Sequence, residues 1–412
     1  MALRQPPKRM LYVVGAALTL AILFLQFHAP STPVSPHLGL ERWAAGGRLM
    51  ADIQNATLGF EQIFVVGLPS RTDRRDGMVL QAALSNMDIE FIDGVSGKDV
   101  PDKAIPMAQG RERLQNASIG SWRAHMNAIR EVVHRNLSSA LILEDDTDWD
   151  VRLRTQLSDF ALSAHALTQP LAGFSPSLFA DPTYPRPQPD SPGHLPDLSF
   201  DALPATLPPS WSPYGDHWDI LWIGHCGMHF PFEKHPNVPK ARVVRLDDET
   251  VAPRKNLWTF NIPFTLKEKY PEHTRAYHHV QEGVCSLGYA VSQAGARKLL
   301  YEVGMKDVGA AFDLLLRYYC EGEKGRAAGR QCLTTQPGLF QHHRTAGPES
   351  AMSDIGDHGD GWRDTPMTDM IRWSVRLNAE TLLVGGREVV DQYPDGVEGE
   401  EETGEEKEKV IA

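Results

Sequence analysis

Apolar runs and polar breaks divide the chain into alternating strand-like and helix-like segments. Ile63-Phe64-Val65-Val66-Gly67-Leu68 is a short, β-branched run closed by Pro69-Ser70, which predicts a buried strand. A helix-like stretch over 74–86 follows, and Ile89-Glu90-Phe91-Ile92 with Asp93-Gly94 predicts a second strand and turn. Between 118 and 136, Trp122, Met126, Ile129 and Val133 recur at helical spacing, with Ser118 or Ser121 available as N-cap. Ala140-Leu141-Ile142-Leu143 is another continuous apolar run, and it leads directly into Glu144-Asp145-Asp146.

The pattern lapses over 170–213, where ten prolines fall between Pro182 and Pro213. A segment of that kind reads as an insertion, either disordered or functional as a substrate-covering flap. Regular patterning resumes with strands over 218–224 and 284–291, a helix from the Ser292 cap through Leu300, and an apolar stretch over 310–319. The alternation predicts an α/β fold with a mixed, mostly parallel sheet covered by helices on both faces. No internal repeat and no second independent domain is visible.

Composition adds limits. The chain has 412 residues, 42% of them apolar, enough for a sizeable core. Its formal net charge is -12, but from Asp391 to the end it carries nine acidic residues and two lysines, so the body is only mildly acidic. No basic stripe points to nucleic acid as a partner. The acidic end, 389–412, reads as a solvated, disordered tail.

At the other end, Arg4, Lys8 and Arg9 precede an uncharged, mostly apolar run over 10–27. At about 1.5 Å per residue it spans roughly 27 Å, workable in a thinner secretory-pathway membrane. The basic flank suits a cleaved signal peptide or a signal anchor, and the lack of a small-x-small site after Phe27 favours the anchor. The expected layout is a cytosolic tail 1–9, a transmembrane anchor 10–27, a Pro-rich stem 28–56 and a lumenal domain 57–388, as a type II protein of the Golgi or endoplasmic reticulum membrane. Sequons at Asn55, Asn116 and Asn136 fit that placement. Cys226, Cys285, Cys320 and Cys332 allow three disulfide pairings, with buried free thiols as the alternative.

The sharpest chemical feature is Glu144-Asp145-Asp146, because ligands of open α/β sheets collect at the carboxyl ends of strands. Three carboxylates there attract a hard divalent ion, Mn²⁺ or Mg²⁺, which leaves coordination positions for phosphate oxygens. A solvated acidic turn is the bland alternative. Arg71, Asp73 and Arg74 open from the same sheet edge after the first strand, where arginines grip phosphate and Asp73 accepts from a ribose or base. A surface ion-pair cluster would use the same residues.

These residues carry a family resemblance. Phe64 to Leu68 with Arg71 and Asp73-Arg74-Arg75 resembles the opening motif of glycosyltransferase family 25, the lipooligosaccharide and collagen galactosyltransferase-type enzymes. Gly120 to His125 resembles its "G-x-x-x-SH" helix, Leu143-Glu144-Asp145-Asp146 its "LEDD" run, Trp218 to Gly224 its "WD-x-x-x-LG" strand, Tyr289 to Leu300 its "GA-x-x-LL" region, and Ser353-Asp354-Ile355 its terminal "SDI". The order is kept from Phe60 to Ile355. Two departures stand out: Ala124 replaces the usual Ser before His125, and Gly67 replaces Asn in the opening strand.

The resemblance implies a GT-A-like, Rossmann-related single catalytic domain, a nucleotide-sugar donor, expected to be a uridine diphosphate hexose, and inverting transfer to a glycan or glycoprotein acceptor. It implies cofactor contacts from Arg71, Asp73, Arg74 and His125, although a hydrogen-bonded core histidine would equally explain His125. Asp313 matches an acidic position after the "GA-x-x-LL" helix and is the candidate catalytic base. Arg317 at i+4 offers it a simple ion pair instead. Of the pair His342-His343, His343 is the expected late metal ligand beside Glu144, Asp145 and Asp146, with Asp145 and Asp146 as the chief ligands and Glu144 in support; a surface histidine pair is the alternative. Competing functions are a metal-dependent phosphoesterase and a catalytically inactive glycan-binding protein of the same fold.

Overall fold

The computed structural model describes residues 47–356 and 359–396. The cytosolic tail, the anchor and most of the stem expected from the sequence lie outside them, as does the acidic end beyond 396. Among the described residues, no helix is long and apolar enough to cross a membrane.

The fold is a mixed α/β sheet. Its first strands are β1 (Gln62–Gly67), β2 (Glu90–Asp93), β3 (Ser139–Glu144), β4 (Thr147–Trp149) and β5 (Leu198–Ser199). They are followed by β6 (Ile220–Gly224), β7 (Arg242–Arg245), β8 (Arg275–His279), β9 (Gly288–Ser292), β10 (Cys332–Gln336) and β11 (Phe340–Arg344). The order across the sheet is β2-β1-β3-β9-β6-β10-β8-β7-β5. Seven of these nine strands run in one direction, and only β8 and β9 oppose them. The helices that matter to the site are α1 (Thr72–Leu84), α2 (Asn116–His134), α3 (Leu153–Thr168), α4 (Gln293–Tyr301) and α5 (Phe312–Glu321).

The continuous apolar runs are explained by burial on both faces. Along β1, Ile63 and Val65 join the core layer that includes α3, whereas Phe64 and Val66 join the opposite layer with α2, α4 and α5. In β3, Leu141 and Leu143 take the first side while Ala140 and Ile142 take the second. Ser292 caps α4 as its sequence position predicts, accepting from the Gly295 N–H at 3.0 Å. The segment expected as a strand from 284 begins only at Gly288. Cys285 before it has φ 62°, which is incompatible with extended pairing.

Three expectations about loops and ends differ from the structure. The Pro-rich 170–213 segment is no flap over the cavity described below, none of whose lining residues it supplies. Leu195, Leu198, Phe200 and Leu203, spaced among the prolines, pack on the core, and Leu198–Ser199 pairs with β7 at the sheet edge opposite β2. At the end of the expected stem, Ile53 is fully buried and Met50 packs beside it. At the start of the expected disordered tail, Arg372 binds Asp391 at 2.6 Å and Asp395 at 2.9 Å, and Gln392 donates to the Thr368 carbonyl at 2.8 Å.

The cysteines pair as Cys226–Cys285 and Cys320–Cys332, with sequence separations of 59 and 12. Chain-entropy arguments put these at about 4 and about 3 kcal/mol of stabilisation. A non-reducing peptide map should therefore contain these two linkages and neither alternative pairing. Denaturation with and without reductant should show a loss of several kcal/mol; equal stability in both conditions would contradict the assignment.

Candidate active site

The carboxyl ends of β1, β2, β3 and β6 meet the amino end of the opposed strand β9 at one sheet edge. A cavity of about 640 Å³ opens there. Its lining includes Arg74, the first turns of α2 and α5, Glu144 to Asp146, Cys285-Ser286, and residues from His342 to Gly356. Gly67 ends β1 against the acidic run: a Cβ at this position would lie 2.0 Å from Asp145 Oδ2. The departure from the family's Asn therefore makes room for Asp145.

Arg74 organises the charges. Its Nη1 donates to Asp145 Oδ1 at 2.9 Å and lies 3.1 Å from Asp146 Oδ2. Burial disfavours the guanidinium charge, but Asp146 and Asp145 outweigh it and hold the pKa of Arg74 above its ordinary value. Burial, reinforced by the neighbouring Asp146 charge, pushes Asp145 up to about 6. Burial also works against the Asp146 charge, yet the guanidinium charges of Arg74, Arg344 and Arg376 help hold that group below the usual carboxylate range. From behind, Arg376 donates to the Asp145 carbonyl at 3.0 Å.

Glu144, Asp146 and His342 each bring a ligand atom within 4.8 Å of the others. Asp146 Oδ1 is buried without a hydrogen-bond partner, a costly arrangement that a cation would relieve. Burial lowers the pKa of His342, which favours the neutral imidazole a metal needs. Two carboxylates and one imidazole fit Mn²⁺ or Mg²⁺ with positions left open. The histidine in this group is His342 and not His343, because strand side chains alternate. β11 pairs with β4, His342 opposite Thr147, so His342 and Arg344 face the cavity. His343 turns away, with Nδ1 3.0 Å from Thr368 Oγ1 and 3.9 Å from Asp148. Asp145 also stands outside the ligand group, engaged with Arg74.

His125 lines the same cavity and is almost fully buried. Its ring stacks on Phe312 with centroids 4.2 Å apart, Nδ1 lies 3.1 Å from the Tyr289 hydroxyl, and Nε2 lies 3.3 Å from Ser286 Oγ and 3.4 Å from Glu144 Oε1. Ser286 Oγ in turn donates to Glu144 Oε1 at 2.7 Å. His125 is thus both a core histidine and the support of a candidate metal ligand. Asp313 lies in the first turn of α5, where its Oδ2 accepts from the Cys285 N–H at 2.9 Å and its Oδ1 from the Leu314 N–H at 2.9 Å. Arg317 leaves Asp313 alone and pairs with Glu282 at 2.5 Å.

Arg71 and Asp73 do not line the cavity. They form a pair at 2.7 Å, and Arg71 also binds Asp354 of the Ser353-Asp354-Ile355 segment at 2.6 Å. The ion-pair alternative describes them, though they anchor a segment that does line the cavity. Sequence reasoning missed Ser286, Tyr289, Arg344 and Phe260. Only Tyr289 lay within a recognised motif, and there was no local signal for the rest.

Residues 60–169 match the family model described as Glycosyltransferase family 25 (LPS biosynthesis protein). Relatives include procollagen galactosyltransferase 1-B of Xenopus laevis, 28% identical over 121 residues, which are 26% of this chain and 20% of that protein. Procollagen galactosyltransferase 2 of Mus musculus is 27% identical over 111 residues, 24% of this chain and 18% of that one. The inactive glycosyltransferase 25 family member 3 of Homo sapiens is 25% identical over 139 residues, 29% of this chain and 23% of that one. The chain spans about a fifth of the length of the curated relatives it matches. The matched stretch runs from β1 to α3 and supplies Arg74, His125 and the three consecutive carboxylates, so it is over the acidic side of the site that the chain is similar to glycosyltransferase family 25.

Proposed function

We propose that the protein is a metal-dependent, inverting hexosyltransferase that uses a nucleoside diphosphate sugar, expected to be a uridine diphosphate sugar, and a glycan or glycoprotein acceptor. The observation that carries this reading is the convergence of Glu144, Asp146 and His342 beside Arg74, in a cavity that also holds Asp313. The names of the relatives point to galactose as the sugar. A lumenal setting in the secretory pathway is supported by two disulfides, which persist in oxidising compartments.

A divalent ion held by Glu144, Asp146 and His342 would neutralise charge on the departing diphosphate. Arg74 supplies a fixed positive charge at the same edge and keeps Asp145 and Asp146 from repelling one another out of position. Asp313 accepts the proton of the acceptor hydroxyl while that oxygen bonds to the anomeric carbon. The carbon–oxygen bond to phosphate breaks, and its electron pair leaves with the nucleoside diphosphate. The two backbone N–H groups on Asp313 fix its orientation for that task.

The existence of an inactive relative keeps a binding-only reading in view. The orphaned Asp146 Oδ1 beside two further ligand groups favours turnover. A phosphoesterase is disfavoured because such enzymes use paired metals, and among the described residues the cavity holds one ligand group.

Assays of nucleoside diphosphate release by the full chain, with several nucleotide sugars and Mn²⁺, test the reading. Chelation should abolish release, and Asp146→Asn should lower it by about a hundredfold or more with the circular dichroism spectrum retained. Wild-type rates in that variant would refute the metal assignment. Calorimetric titration separates the two histidines: His342→Ala should weaken Mn²⁺ binding by about tenfold or more, while His343→Ala should change it less than twofold. The opposite ranking would restore His343 as the ligand.

A further inference from the structure

Phe260 is an apolar side chain in an unusual position. It lines the candidate cavity yet is 69% exposed. An exposed aromatic on a mobile loop would mean little, but this one is held from several sides. Its N–H donates to the Cys226 carbonyl at 3.1 Å. The next residue, Asn261, donates through Nδ2 to the Glu282 carbonyl at 2.8 Å. The loop also presses on the Gly227 backbone, where a Cβ would stand 2.1 Å from Asn261 Oδ1 and 2.5 Å from Thr259 Oγ1. Trp258 meets the Phe260 ring edge to face at 5.2 Å. The backbone that presents the ring is therefore held in place, so the loop needs little further ordering when a ligand lands on it.

The platform is also coupled to the candidate base. Cys226, which receives the Phe260 N–H, is bonded to Cys285, and the Cys285 N–H donates to Asp313 Oδ2 at 2.9 Å. This part of the wall consists of an aromatic ring, a disulfide and a carboxylate. The cations that line the cavity, Arg74 and Arg344, belong instead to α1 and β11 beside the acidic run. A diphosphate has no attraction to a surface of ring, disulfide and carboxylate. A neutral, polyhydroxylated ring does: its C–H face packs on an aromatic plane while its hydroxyls reach polar groups at the rim.

We propose that Phe260 is the stacking platform of the acceptor subsite and that the acceptor group it takes is a pyranose ring, oriented so that one hydroxyl meets Asp313. This rests on the transferase reading above and narrows its acceptor from a glycan or glycoprotein to a saccharide.

The test uses the full chain with uridine diphosphate galactose, Mn²⁺ and either methyl β-galactoside or methyl β-glucoside as acceptor. The glycosides should accelerate release of uridine diphosphate. Phe260→Ala should raise the acceptor KM about tenfold, equivalent to about 1.4 kcal/mol, with the donor KM moving less than twofold, and Phe260→Trp should restore the acceptor KM. An unmoved acceptor KM in Phe260→Ala overturns the platform. So does acceleration by a hydroxylated peptide where neither glycoside accelerates. Absence of Mn²⁺-dependent release from any nucleotide sugar is a separate result, which overturns the transferase reading itself.

Discussion

Glu144, Asp145 and Asp146 stand side by side at the end of a buried strand, where three negative charges would drive the strand end apart or force protonation. Arg74 resolves this by reaching across from α1 to touch both aspartates, with Arg376 closing the other side. The compensation is partial. Asp145 is still pushed up by burial, and Asp146 Oδ1 is still without a partner. A buried ion cluster of this kind is a poor device for stability, since desolvation offsets most of the attraction. It is a good device for holding acceptor oxygens ready for a cation.

The second constraint is the reversed strand β9. Because it runs against β3 and β6, its amino end reaches the edge where their carboxyl ends finish. That brings Cys285 and Ser286 into the cavity wall. Two adjacent residues then hold the two kinds of carboxylate: Ser286 binds Glu144, and Cys285 binds Asp313. The Cys226–Cys285 disulfide pins this point to the loop after β6, and the loop bearing Phe260 hangs from the same cysteine. Candidate metal ligand, candidate base and exposed aromatic thus share one anchor, so a displacement at Cys285 would reach all three.

Residues near one another in sequence were read well. The strand that becomes β1, the helix that becomes α2 and the run into Glu144 follow from apolar spacing, and Gly67, an unexplained departure, turns out to be the space Asp145 occupies. The Pro-rich segment was misread because prolines conceal the apolar residues that dock it: each proline breaks periodicity, but Leu198 and Phe200 still find the core. The first residues of the expected tail, 389–396, differ from that reading because acidic residues look solvated until Arg372 is placed opposite Asp391 and Asp395.

By itself the sequence determined the α/β order of elements, the acidic run at a strand end, and the family its motifs resemble, since each depends on local spacing and residue type. The choice between His342 and His343 was not determined, because neighbouring strand residues point to opposite faces and only the pairing of β11 with β4 decides which face meets Asp146. Nor were the disulfide partners, the separation of Arg71 from the cavity, or the place of Phe260 in the same cavity lining as Asp313. All of these are contacts between segments far apart in the chain, and tertiary packing alone brings them together.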